Sequence, residues 1–161
     1  MTRYLLDTNI VSHLLKGTAT VRERIVALPI SSLCISAVTN GEMIFGLMKR
    51  PEAVRLRHSV RQFSQRVDVL PWDEQVSERY GEIRAILTRA GISLAPLDLM
   101  IFAHAAAVKA VLVTDDRAFL PAATHVRTLD TYAGFDLENW AECRQSPAQA
   151  LPAPGFPPSR E

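Results

Sequence analysis

"YLLDTNIV", residues 4–11, is a short apolar run that ends on a carboxylate at the point where the chain should turn into a helix. Tyr4 to Leu6 has the branched, apolar character of a strand, and Thr8 to Lys16 continues with helical spacing until Gly17 can stop it. A lone Asp7 at such a junction would be read as a helix cap, because its side chain can accept a backbone N–H of the first turn. Whether it is more than a cap depends on where the other acids fall.

Working outward, apolar runs rich in branched residues alternate with stretches of helical period, the pattern of a parallel sheet covered by helices. Cys34 to Val38 reads as a second strand, followed by a helix near Asn40 to Arg50. Leu56, Val60, Phe63 and Val67, at spacings of four, three and four, give the next helix one buried stripe, and Val67 to Leu70 reads as a short extended piece. Val76, Tyr80, Ile83 and Leu87 repeat the stripe in a helix from about Asp73 to Arg89, ended by Gly91. Pro96 suits the first turn of a helix running to about Val108, where its missing N–H is not needed. Ala110 to Thr114 and Val126 to Leu129 read as further strands.

The 161 residues, 48% of them hydrophobic, are enough for one packed domain, placed at residues 1–140. From 141 to 161 the chain changes character, with five of its ten prolines between Pro147 and Pro158, and reads as a flexible tail. Eighteen basic and 17 acidic residues give a net charge of +1, so a polyanion partner would have to meet a local patch. Cys34 and Cys143 read as unpaired thiols, and no apolar stretch makes a good membrane span, so the expected compartment is the cytoplasm.

Against this frame the acids sit at matching places. Asp7 ends the first strand, Glu42 falls in the first turn of the helix after the second, Asp98 opens the helix after Pro96, and Asp115 and Asp116 follow the strand ending at Thr114. In an open parallel sheet those junctions share one edge. Each acid taken alone has an ordinary reading as a cap, a first-turn charge or a turn residue. Brought together they would repel one another, and a hard cation would relieve that repulsion. Carboxylates without histidine or thiolate favour Mg²⁺ or Mn²⁺, and such an ion can activate water against a phosphodiester. His13, His58, His104 and His125 show no ligand spacing and read as structural or surface residues.

Between Lys49 and Arg66 six basic residues face the single acid Glu52, and Arg50, Arg57 and Arg61 fall near one helical face, able to follow a nucleic-acid backbone. Two other readings stand beside a metal-dependent hydrolase. A Rossmann-like phosphatase would use Asp7 as nucleophile, although Asn9 occupies the place where that scheme has a second Asp. A catalytically silent RNA- or partner-binding module would carry the acids as relics.

"YLLDTNIVSHLLKG", "ISAVTNGEMIFGL", "LAPLDLMIFAHAAAV" and "LVTDDRAF", in this order and over about residues 3–140, resemble the PIN-domain ribonucleases, specifically the VapC-type toxins of bacterial toxin–antitoxin pairs. The resemblance implies a PIN-like α/β fold, a parallel sheet of four to five strands sandwiched by helices. It implies that Asp7, Glu42 and Asp98 are the core metal-binding catalytic acids and that Asp116 is the fourth. Asp115 stands where relatives often have Asn, so the two neighbours could exchange roles. Asn9 and Thr114 match residues that support the site, and Arg84 in "EIRAIL" matches a frequent arginine. The resemblance further implies Mg²⁺ or Mn²⁺, an RNA substrate that is often a tRNA, a homodimer, and a VapB-type antitoxin partner.

Overall fold

The computed structural model describes residues 1–142. The tail expected from residue 141 onward, like Cys143, therefore lies outside the described residues except for Ala141 and Glu142, and Ala141 O accepts a hydrogen bond from Thr20 Oγ1 at 3.2 Å. Five strands, β1 (Tyr4–Leu6), β2 (Leu33–Ser36), β3 (Asp68–Leu70), β4 (Val111–Val113) and β5 (Leu137–Glu138), form one sheet in the order β3-β2-β1-β4-β5. Every neighbouring pair is parallel, with Leu5 opposite both Cys34 and Leu112. Seven helices are present among the described residues: α1 (Thr8–Leu15), α2 (Ala19–Val26), α3 (Ala37–Met48), α4 (Val54–Arg66), α5 (Glu74–Arg89), α6 (Pro96–Ala107) and α7 (Phe119–Val126).

Strand side chains alternate between two cores, as the period of two requires. Leu5, Cys34 and Leu112 face one side and pack with Ile83 and Leu87 of α5, Phe102 of α6 and Phe119 of α7. Leu6, Ile35 and Val113 face the other, against Ile10 and Val11 of α1, Met43 of α3, and Val60 and Phe63 of α4. Covering helices on both faces is why these strands read as continuous apolar runs. The strand order reverses about β1, so the carboxyl ends of β1 and β4 open onto the crevice where α/β sheets bind ligands.

Three sequence expectations are corrected. The second strand ends at Ser36 and α3 begins at Ala37, not near Asn40, because Ser36 Oγ accepts from Val38 N–H at 3.1 Å and caps the helix there. Glu42 consequently lies in the second turn of α3 instead of its first. The strand expected at Val126 to Leu129 does not form. Phe119, Ala122, Ala123 and Val126 are buried at helical spacing in α7, with Pro121 in the first turn where no N–H is needed, and the outer strand is β5. Helix α2 went unread in the sequence: only Val21 of its eight residues is buried, so it has almost no apolar stripe.

Helix α6 is buried on most sides, through Leu99, Ile101, Phe102, Ala103, His104 and Ala105. His104 Nδ1 lies 2.7 Å from Ser36 Oγ, which ties α6 to the cap of α3. At the far end of α6 the chain turns through Lys109 at φ 54°, the one non-glycine with positive φ among the described residues, while Ala110 N–H closes on Ala105 O at 3.0 Å. Gly17 and Gly91, at φ 79° and 70°, end their helices in the same left-handed region without a Cβ. Lys109→Gly should therefore raise stability by roughly 1 kcal/mol, read as a higher urea midpoint; a lower midpoint would show that the lysine side chain outweighs the strain.

Candidate active site

Asp7 is both a cap and the buried centre of an acid cluster. Its N–H donates to Val113 O at 2.9 Å, fastening the end of β1 to β4. Oδ1 accepts from Thr8 N–H at 2.7 Å, capping α1, and Oδ2 accepts from the Thr114 hydroxyl at 2.8 Å. The residue is 3% exposed. Thr114 Oγ1 in turn accepts from Asp116 N–H at 3.1 Å, and Asp116 Oδ1 accepts from Ala118 N–H at 2.9 Å, so the turn after β4 is built around the same hydroxyl.

Burial pushes the Asp7 carboxyl up from 3.8 to about 6; the charges of Asp98 and Glu42 add to this, and the bonds from Thr114 and Thr8 oppose it. Glu42, on α3, is also raised, first by burial and then by Asp98, while the Thr8 hydroxyl beside it acts the other way without completing a hydrogen bond. Asp98, in the first turn of α6, is raised by burial and by Asp116. Asp7, Glu42, Asp98 and Asp116 thus share one electrostatic field, although they come from four distant stretches of chain. The donors are all carboxylate oxygens, which suit a hard divalent cation. Among the described residues, no three His, Cys, Asp or Glu side chains are placed closely enough to hold a metal ion as they stand.

Asp115 points elsewhere. Its Oδ2 accepts from His13 Nε2 at 2.6 Å, and His13 Nδ1 lies 3.1 Å from Thr18 Oγ1. Asn9 is exposed on the first turn of α1. Arg84 is exposed on α5, donates from Nη1 to Tyr80 Oη at 3.1 Å, and lines a cavity with Pro96 and Leu99 at the start of α6. Arg50 lines a cavity of about 260 Å³ together with Thr8, Lys16, Glu42 and Lys49, beside the acids. Arg57 and Arg61 line a different groove with Ile44 and Met48, and Arg57 Nη2 donates to Pro51 O at 3.3 Å. The three arginines of the basic patch do not share one groove. The sequence reading gave Thr8 no role and took His13 as structural or surface; the contact of His13 with Asp115 forms only after distant segments pack together.

The sequence matches the PIN domain family over residues 4–124. It is 34% identical over 142 residues, 88% of this chain and 100% of the relative, to the tRNA(fMet)-specific endonuclease VapC of Shigella flexneri. The fold is similar to that of DNA-bound VapBC from Salmonella typhimurium, with a TM-score of 0.70 and 33% identity over 87% of this chain and 99% of that one. VapBC2 from Rickettsia felis bound to a promoter DNA fragment shares the fold with a TM-score of 0.73 over 86% of this chain and 99% of that one, at 24% identity.

Because folding raises Asp7 from 3.8 to about 6, native protein binds more protons than unfolded protein between those values. Its stability should fall as pH rises through that window and stay reduced above it, by at most roughly 3 kcal/mol from this group. Thermal melts with chelator at pH 4 and pH 7.5 should show a loss that shrinks in Asp7→Asn. An equal loss in the variant would mean that Asp7 does not carry the penalty.

Proposed function

The chain belongs to the PIN-domain family and is a VapC-type ribonuclease, and from that premise we propose that it is a Mg²⁺- or Mn²⁺-dependent endoribonuclease acting in the cytoplasm as the toxin of a toxin–antitoxin pair. Its substrate is RNA, with tRNA the preferred class, and its partners are a VapB-type antitoxin and a second copy of itself. The observation that carries this reading is the buried Asp7 carboxylate, pushed up to about 6 by burial and by the neighbouring charges of Asp98 and Glu42. The names of the VapC relatives support the RNA and tRNA assignment.

Asp7, Glu42, Asp98 and Asp116 would hold the ion, and a divalent cation bound there would supply an activated water and offset the charge gathering on the phosphate. The protein's own part is orientation. Thr8 N–H and the Thr114 hydroxyl fix both oxygens of Asp7, so that carboxylate needs no reorganisation when substrate arrives. Pro96 in the first turn of α6, and the buried body of that helix, hold Asp98 at a helix amino end where negative charge is favoured. Lys16, Lys49 and Arg50, lining the cavity that also contains Glu42, suit an approaching phosphodiester backbone.

Asp7 as a phosphorylated nucleophile is disfavoured, because both of its oxygens accept hydrogen bonds and the residue is buried. Asp7→Asn and Asp98→Asn should retain the fold and a cooperative melt yet lose RNA cleavage by at least 100-fold, on the order expected for removal of an essential charge-stabilising group. Chelation should abolish wild-type cleavage, and Mg²⁺ or Mn²⁺ should restore it. Cleavage at the wild-type rate by either variant, or in excess chelator, would end this assignment.

A further inference from the structure

Two adjacent acids follow β4, and Asp116 is the one whose charge raises Asp98. What separates them is a contact made 102 residues away in sequence: His13 Nε2 donates to Asp115 Oδ2 at 2.6 Å. The imidazole is held from behind as well, since Nδ1 lies 3.1 Å from Thr18 Oγ1. Its backbone is fixed too, because Thr18 N–H closes on His13 O at 2.9 Å across the left-handed Gly17 at the end of α1. The two side chains are about one-third and one-quarter exposed, 33% and 27%, so solvent only partly weakens the bond between them.

We propose that His13 is a positioning residue: by holding Asp115 against the end of α1 it keeps that carboxylate out of the acid cluster and presents Asp116 to it. The turn after β4 has two fixed points. Thr114 Oγ1, which donates to Asp7, accepts from Asp116 N–H, and His13 in the last turn of α1 takes the Asp115 side chain. Asp115 and Asp116 are consecutive, so holding the Asp115 side chain on His13 constrains the backbone that carries Asp116. The assignment rests on the reading that Asp7, Glu42, Asp98 and Asp116 hold a divalent ion, and it gives Asp115 a supporting role in place of a ligand's.

The test titrates Mn²⁺ into metal-stripped, full-length protein, with the free ion followed by electron paramagnetic resonance and a thermal melt recorded on each sample. His13→Ala should weaken Mn²⁺ binding by roughly tenfold, the size usual for loss of an outer-shell partner. Asp115→Ala should weaken it by the same factor, and the double variant should be no worse than either single one. Asp115→Asn keeps an acceptor oxygen for Nε2 and should bind Mn²⁺ close to wild type. Wild-type affinity in folded His13→Ala would overturn the proposal. So would a loss in Asp115→Asn as large as that in Asp115→Ala, or a loss in both well beyond that of His13→Ala, which would make Asp115 a ligand itself. Wild-type protein that takes up no Mn²⁺ would overturn the metal reading first, and this assignment with it.

Discussion

The arrangement depends on one unfavourable placement, a carboxylate buried at the carboxyl end of the central strand. Among the described residues, no cationic side chain offsets the burial of Asp7. Its compensation is two hydrogen bonds, from the Thr8 amide and the Thr114 hydroxyl, and these do not outweigh burial and the charges of Asp98 and Glu42. A protein selected for stability alone would gain by an apolar or neutral residue there. Retaining an acid that its surroundings push up to about 6 makes sense when the negative charge has a use, and a divalent ion is the partner that would bring the carboxyl back toward its ordinary value.

The scaffold is organised to hold that placement rigid. β1 lies between β2 and β4, so its end is pinned on both sides, and Asp7 N–H extends the ladder to Val113. The helices bearing Glu42 and Asp98 are joined below the site by His104 and Ser36, the first buried in α6 and the second capping α3. Burial lowers the proton affinity of His104, which favours the neutral ring in its contact with the Ser36 hydroxyl. A neutral polar link inside the core fixes two helices without adding another charge to a region already crowded with acids. The His13–Asp115 bridge does comparable work at the rim.

Much of this was legible from residue order because strand ends and helix starts are local properties. The apolar run stopping at Asp7, Pro96 two residues before Asp98, and the turn residues after Thr114 each announce a junction, and parallel topology then places the junctions on one edge. Errors arose where local pattern was thin or tertiary contacts decided. Ser36 as a cap moved the start of α3 and put Glu42 one turn deeper than its spacing from Asn40 suggested. Residues 119–126 form a helix instead of feeding a strand, since their buried positions recur at three and four. The partner of Asp115 was hidden because no spacing rule links His13 to a residue 102 positions away. The basic patch read as one helical face, but packing turns Arg50 toward the cavity beside Glu42 and sends Arg57 and Arg61 to another groove.

The central claim is that these four acids gather to hold a cation. Crystals grown or soaked with Mn²⁺ and measured at the manganese absorption edge test it most directly. An anomalous peak within coordination distance of carboxylate oxygens of Asp7 and Asp98, with Glu42 and Asp116 around it and Asp115 still on His13, is the predicted result. No peak among these acids at saturating Mn²⁺, or occupancy only at an unrelated surface, would contradict it.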